Sequence, residues 1–319
     1  MKYSLMSLML DSELKLTRPN FIHMAMLNSM GYKGENPTID EVFQFLNDHG
    51  IPAKNGTMTF EDLVRCAKEN GYDAVDMMSF HFETEGKEAK EILDKYGMKM
   101  SAVDLIMPFA NCTTEEKYEL MLSRAKSAID QTADAGCETL MLMPTVYALD
   151  GGITFEQGYQ NMIRGLRACV AYANGRGVTV STETLESVGV PYCTIGEMKR
   201  VFADVPELRY THDTGNPLVG CEDPITTYET FRDRVRTVHF KEYGDVDRGD
   251  AKLCRNGRKV DSVPFGEGVI DFRKHLELLH RDNYDGYIVI EGSVAADDRL
   301  DGVKKSIDYF RGMEAEVLA

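Results

Sequence analysis

The feature that most constrains this chain is an alternation of short, apolar, β-branched runs with amphipathic helical stretches. It begins at Thr59 and continues to the C-terminus. "TFEDLVRCAKENGY" runs with helical periodicity from a threonine cap to a closing glycine, and "DAVDMMSF" follows as a strand. The unit recurs: helix "KEAKEILDKYG" and strand "MKMSAVDLI", a helix over 113–135 and strand "CETLMLM", a helix over 155–174 and strand "VTVSTE". A helix near 195–203 leads into "LRYTHD", a short helix near 225–233 into "VRTVHFK", a helix over 271–281 into "GYIVIE", and a last helix starts near 300. With "KYSLMSLML" as a first strand, about eight strand–helix pairs fill a length near the ~250 residues of a (β/α)8 barrel plus an insertion. A doubly wound sheet would ordinarily carry a glycine-rich turn after its first strand, and "SLMLDSELK" has no glycine. The expected fold is therefore an α/β (β/α)8 TIM barrel, one domain over 1–319, with an insertion after the first strand.

That insertion is residues 11–58, with a helix of its own in "TIDEVFQFLNDHG". Because it follows a strand, it is expected at the carboxyl-end face of the barrel, where catalytic groups of this architecture sit. No Pro/Gly/Ser-rich linker marks a second domain. A hydrophobic content of 43% supports a sizeable core. Lysine and arginine total 36 against 52 aspartates and glutamates, a net charge of −16. This argues against the clustered positive charge that nucleic-acid binding runs on and favours a cation or a small neutral substrate. Seven scattered cysteines with no CxxC pair suggest neither a disulfide framework nor a structural zinc site, so a cytoplasmic location is expected. "MKYSLMSLML" runs into "DSELK" without a small-residue cleavage site and reads as a strand; no apolar stretch is long enough to span a bilayer.

The barrel directs attention to strand ends. The fifth strand ends in Glu183, the sixth in Asp213 of "THDTGN", the seventh in His239 of "VHFKEY" and the eighth in Glu291 of "VIEG". Each residue singly has an ordinary explanation as a cap, a solvated loop residue or a core histidine. Together, in phase with four consecutive strand ends, they make an oxygen and imidazole set suited to one divalent cation: Mn2+, Mg2+, Co2+ or Zn2+. A cation would also account for a carboxylate at the end of an otherwise buried strand.

The same stretches, "VTVSTETLES", "LRYTHDTGNP", "VRTVHFKEY" and "VPFGEGVIDFRKHLELLHRDNYDGYIVIEG", resemble the successive signatures of the xylose-isomerase-like TIM-barrel superfamily, the sugar phosphate isomerase/epimerase group. That group holds ketose 3-epimerases, hydroxypyruvate isomerases, inosose dehydratases and, more distantly, endonuclease IV. The resemblance covers the chain from roughly Thr59 onward, and the Gly-Glu-Gly turn at 266–268 is its most specific part. It implies that Glu183, Asp213, His239 and Glu291 bind one catalytic metal and that the two glutamates flank the substrate as an acid/base pair. One departure stands out: the family's sixth-strand motif commonly ends Asp-x-Gly-His, whereas this chain has Asp213-Thr214-Gly215-Asn216, with His212 on the other side. Asn216 can donate to a substrate hydroxyl but cannot titrate near neutrality. Seven histidines, one of them in the expected ligand frame, argue against the histidine-rich site of endonuclease IV.

Further substrate-binding candidates are His81 beyond the second strand, Glu186 after the fifth, Asn216, and Lys241, which two-residue alternation puts on the face of His239. Arg248 lies in the long, basic stretch 243–263, a candidate contact for a phosphate or carboxylate. The 18 methionines read as core filling. The expected activity is a metal-dependent isomerase or epimerase of a small sugar-like hydroxy-carbonyl compound acting through an enediolate. An inosose-type dehydratase on the same site and a non-catalytic sugar- or metal-binding barrel are the competing readings, and a homo-oligomer is left open.

Overall fold

The computed structural model describes residues 1–16, 19, 23, 27, 30–34, 37–82, 84–145, 149, 151–249 and 251–319. Eight of its strands are parallel and close on themselves. They are β1 (Lys2–Met6), β2 (Ala74–Met78), β3 (Lys99–Ile106), β4 (Thr139–Met143), β5 (Thr179–Thr182), β6 (Arg209–Asp213), β7 (Val235–Phe240) and β11 (Tyr287–Ile290). β11 pairs with both β7 and β1 and so completes the barrel. The expected (β/α)8 barrel is thus the observed one.

The helices form where the sequence pattern places them. After α1 (Ile39–Asp48) come α2 (Phe60–Glu69), α3 (Gly86–Tyr96), α4 (Glu115–Asp134), α5 (Phe155–Asn174), α6 (Ile195–Asp204), α7 (Pro224–Phe231), α8 (Phe272–Arg281) and α9 (Arg299–Leu318). Complete capping boxes open four of them, with Thr38 and Glu41, Thr59 and Asp62, Thr154 and Gln157, and Thr194 and Glu197. Each threonine cap contributes about 1 kcal/mol and fixes where its strand-to-helix loop ends.

The apolar core lies between the strands and the helices, as in the cluster that joins Tyr3, Leu63, Phe240, Leu276 and Phe310. The inside of the barrel is different. Hydroxyls and carboxyls fill much of it, where branched aliphatic side chains are usual. Ser4 and Ser101 hydroxyls meet at 2.7 Å, Ser101 donates to Asp76 at 2.6 Å, and Ser181, Thr211 and Thr237 form a chain with steps of 2.8 and 2.9 Å.

Residues 243–263 are the long, basic stretch in which no strands were expected. They fold into a small antiparallel sheet of β8 (Tyr243–Asp245), β9 (Lys252–Leu253) and β10 (Lys259–Ser262), in the order β8-β10-β9. Three short strands leave too little hydrophobic periodicity to be read; they pair through an antiparallel backbone ladder, with ion pairs such as Lys252–Asp261 and Arg258–Asp245 beside it.

The 11–58 segment falls only partly within the described residues. Its ends are clasped: Leu14 and Met58 form a parallel bridge, and the Asn55 side chain bonds both backbone groups of Leu16, at 2.8 and 2.7 Å. α1 packs Ile39, Val42 and Leu46 with Leu16 and Leu27 into a separate apolar cluster.

Candidate active site

Strand direction carries the four expected ligands to one end. Asp213 closes β6, His239 lies one residue from the end of β7, and Glu183 and Glu291 immediately follow β5 and β11. Ligand atoms of Glu183, Asp213 and His239 lie within 4.8 Å of one another. Glu291 joins them through its Oε2, 3.2 Å from His239 Nδ1. Asp213 is oriented by its own turn: Oδ1 accepts the backbone N–H groups of Gly215 and Asn216, both at 2.7 Å. Its Oδ2, Glu183 Oε2 and His239 Nε2 are buried without a hydrogen-bond partner. Buried polar atoms in folded proteins are nearly always satisfied, so this convergence fits a divalent cation held by oxygen and imidazole ligands.

Lys241 supplies positive charge within the cluster. Its Nζ lies 2.6 Å from Glu291 Oε1, 3.4 Å from Asp213 Oδ2, 3.6 Å from Glu186 Oε2 and 3.3 Å from Asn216 Oδ1. Burial works against its charge, but Asp213, Glu291 and Glu186 outweigh it and hold the ammonium protonated. The two glutamates diverge. Burial, with the Asp213 charge beside it, raises Glu183 well above the usual carboxylate range against the pull of Lys241 and His239. Burial also pushes Glu291 upward, yet Lys241 and the His239 hydrogen bond overcome it and bring it to about 2. Asp213 is raised by burial to about 6, with Lys241 opposing.

The other candidates divide. Glu186 reaches the cluster and accepts a short hydrogen bond from the Tyr243 hydroxyl. Asn216 stands behind Lys241, its amide nitrogen donating to the Thr184 carbonyl at 3.0 Å while its oxygen faces the ammonium. His81 is buried and both its ring nitrogens are engaged, by Ser7 at 3.1 Å and Asp11 at 2.7 Å. Arg248 pairs with Asp261 on the small sheet, and Asp261 also holds the Nζ of Lys252 at 3.1 Å, itself 3.7 Å from Glu186 Oε1. His212 points outward into the helix layer, stacked on His275 at a centroid distance of 5.3 Å, and burial holds its imidazole neutral.

Two features escaped the sequence reading. Asp76 on β2 and Asp104 on β3, fully buried, bring carboxyl oxygens within 4.8 Å of the same His239. β3 and β7 face each other across the closed barrel, a proximity that only closure creates. Burial and the charge on Asp76 raise Asp104 well above the usual carboxylate range, and burial raises Asp76 as well. The signal was present in "AVDMM" and "SAVDLI", each with a single acid in phase with inward-facing residues. The second feature is a pocket of about 150 Å³. Glu183, Glu186, His239, Lys241 and Glu291 line one side, and Met6, Met78, Met141, Met143, Phe80 and Ile106 form much of the other. These methionines were read as core filling; they are buried in the apolar core and also line the pocket.

The chain belongs to the family described as xylose isomerase-like TIM barrel, which matches residues 64–313. An inosose dehydratase of Lacticaseibacillus casei is 30% identical over 112 residues, a stretch covering 33% of this chain and 37% of that protein. The match thus spans well under two thirds of that relative's length. Among solved structures, the probable 3-DHS dehydratase involved in petrobactin synthesis from Bacillus anthracis superposes with a TM-score of 0.67 at 15% identity, covering 98% of this chain and 99% of that one. A 3-keto-D-glucoside 4-epimerase from E. coli superposes with a TM-score of 0.63 at 18% identity, over 80% of this chain and 95% of that one. At these identities the superpositions establish a shared fold. Among the described residues, no helix is long and apolar enough to cross a membrane.

Proposed function

We propose that this protein is a divalent-metal-dependent isomerase or epimerase of a small sugar or related hydroxy-carbonyl compound. Glu183, Asp213, His239 and Glu291 hold the metal, and Glu183 and Glu291 form the acid/base pair. The observation that carries this reading is geometric: four potential ligands stand at the carboxyl ends of consecutive barrel strands, with atoms of Glu183, Asp213 and His239 within 4.8 Å of one another and Glu291 Oε2 3.2 Å from His239 Nδ1. Two of the four are glutamates, whose carboxylates can act as base and acid on opposite faces of one substrate. They stand three strands apart around the barrel, so a substrate between them presents one face to each. Removing a proton next to a carbonyl generates an enediolate, and a bound cation would supply the charge that stabilises it.

The chain's own groups do the rest. Glu291, ionised, accepts the proton; Glu183 returns one on the other side, giving epimerisation. With one base working on both carbons, the same site gives an aldose–ketose shift. Lys241 binds a substrate oxygen, with Asn216 and Glu186 holding its ammonium in place. His81 and Arg248, engaged by Ser7, Asp11 and Asp261, have no substrate contact in this reading. A dehydratase reading, in which the enediolate expels a β-hydroxyl, uses the same residues and is favoured by the names of the Lacticaseibacillus casei and Bacillus anthracis proteins.

The test is incubation of the metal-loaded protein with ketoses, aldoses, inososes and hydroxypyruvate in deuterated water, followed by NMR. Deuterium beside the carbonyl with carbon skeleton and oxygens retained supports isomerisation or epimerisation. Loss of a hydroxyl with deuterium uptake supports the dehydratase, and no exchange with any substrate removes both readings.

A further inference from the structure

The pocket beside the candidate ligands is divided by chemistry. β5, β6, β7 and β11 bring the carboxylates, the imidazole and the Lys241 ammonium to one side. On the other side β1 to β4 and the turns that follow them supply Met6, Met78, Phe80, Ile106, Met141 and Met143. None of the pocket residues carried by those four strands is polar among the described residues. His81 is held by Ser7 and Asp11, and Asp76 and Asp104 face His239 inside the barrel.

This division selects among substrates. A fully hydroxylated sugar carries hydroxyls around its whole periphery, and each one pressed against methionine and phenylalanine without a partner costs roughly 1–3 kcal/mol. A substrate that turns its carbonyl and vicinal hydroxyl to the charged side and an apolar group to the other meets no such penalty and gains from burial. Methionine is suited to that role, since its flexible, polarisable thioether packs well on aromatic rings and adapts to varied shapes. We infer that the site takes a hydroxy-carbonyl compound bearing an apolar substituent, an aryl or alkyl group seated on the methionine side. This substrate class rests on the isomerase or epimerase reading above, and it applies equally to the dehydratase alternative.

Binding tests it without requiring turnover. The Kd of the metal-loaded protein is measured by calorimetry for matched methyl and phenyl 3-keto-glycosides of glucose, galactose and xylose. At least one phenyl glycoside is expected to bind ~10-fold or more tightly than its methyl counterpart, the scale that a well-formed apolar pocket gives. Met143→Gln and, separately, Phe80→Ser are expected to remove most of that preference while leaving metal content unchanged; two variants guard against one failing to fold. Equal affinity for methyl and phenyl forms, no binding by any of the six, or a phenyl preference that survives both substitutions overturns the inference. The same 3-keto-glycosides are then incubated in deuterated water. A phenyl preference in binding with no deuterium uptake by any of them leaves the substrate-binding inference standing and removes the enzymatic reading.

Discussion

Glu291 shows how one side chain can be both ligand and base. Its two oxygens face different cations, Lys241 at 2.6 Å and the His239 imidazole at 3.2 Å, and these keep it ionised despite burial. Glu291→Gln preserves an oxygen ligand and removes the base, so kcat should fall by at least ~100-fold with metal content retained. Undiminished turnover would move proton transfer to another group. His239 gives a pH prediction. Burial lowers its affinity for a proton, but the Glu291 hydrogen bond and the charges of Asp104, Glu291 and Asp76 override this and raise it to about 10. A folded-state value raised above the unfolded ~6.5 contributes stability that is complete below 6.5 and is lost as pH rises through 10. Glu291 is ionised on both sides of unfolding above pH 5 and adds no slope there. A protonated imidazole offers no lone pair, so metal must displace that proton. The metal-free protein should therefore lose Tm from pH 6.5 to 9, and the Tm gain on adding Mn2+ should grow over the same range. A metal-induced gain that shrinks with rising pH would contradict this account of His239.

At the scale of elements, the Gly-Glu-Gly turn shows why a short motif can be so restrictive. Glu242, buried just after β7, accepts the backbone N–H groups of Gly266 and Ile270 at 3.2 and 3.0 Å and so ties the turn to the strand that carries His239. A Cβ on Gly268 would lie 2.2 Å from Glu242 Oε1 and 2.4 Å from the Tyr243 carbonyl oxygen. Gly266 adopts a φ of +86°, which side chains other than glycine rarely take. Gly268→Ala should thus destabilise by about 1–3 kcal/mol, the usual cost of an overpacked site, read as a lower urea midpoint at unchanged m-value. A stability equal to wild type would mean that the turn shifts freely. The small sheet β8–β10 carries the opposite lesson. Its basic residues, which look like anion ligands in the sequence, are largely spent on acids: Arg258 on Asp245, Lys252 on Asp261 at 3.1 Å and Arg255 on Glu197 at 2.6 Å.

At the scale of the molecule, the 11–58 segment starts at Asp11, which follows the turn after β1 and bonds His81 beyond β2. Our hypothesis is that it covers the mouth and narrows substrate choice. The Leu14–Met58 bridge brings its two ends together, so replacing 16–56 with a short Gly/Ser connection should leave the barrel folded and metal bound while KM rises by roughly 10-fold, a loss of ~1.4 kcal/mol of binding. Unchanged kinetics with an altered oligomer size would assign the segment to subunit packing. The sequence by itself determined the eight barrel strands, the helices between them and the strand ends at which Glu183, Asp213, His239 and Glu291 stand, because periodicity, caps and glycine stops are local and strand direction fixes which end a residue faces. Only the tertiary structure decided what lies across from what. Asp104 meets His239, Asn216 backs Lys241, and four methionines face the carboxylates, since each of these contacts joins residues distant in the chain. Closing the barrel sets those distances, and no local pattern encodes them.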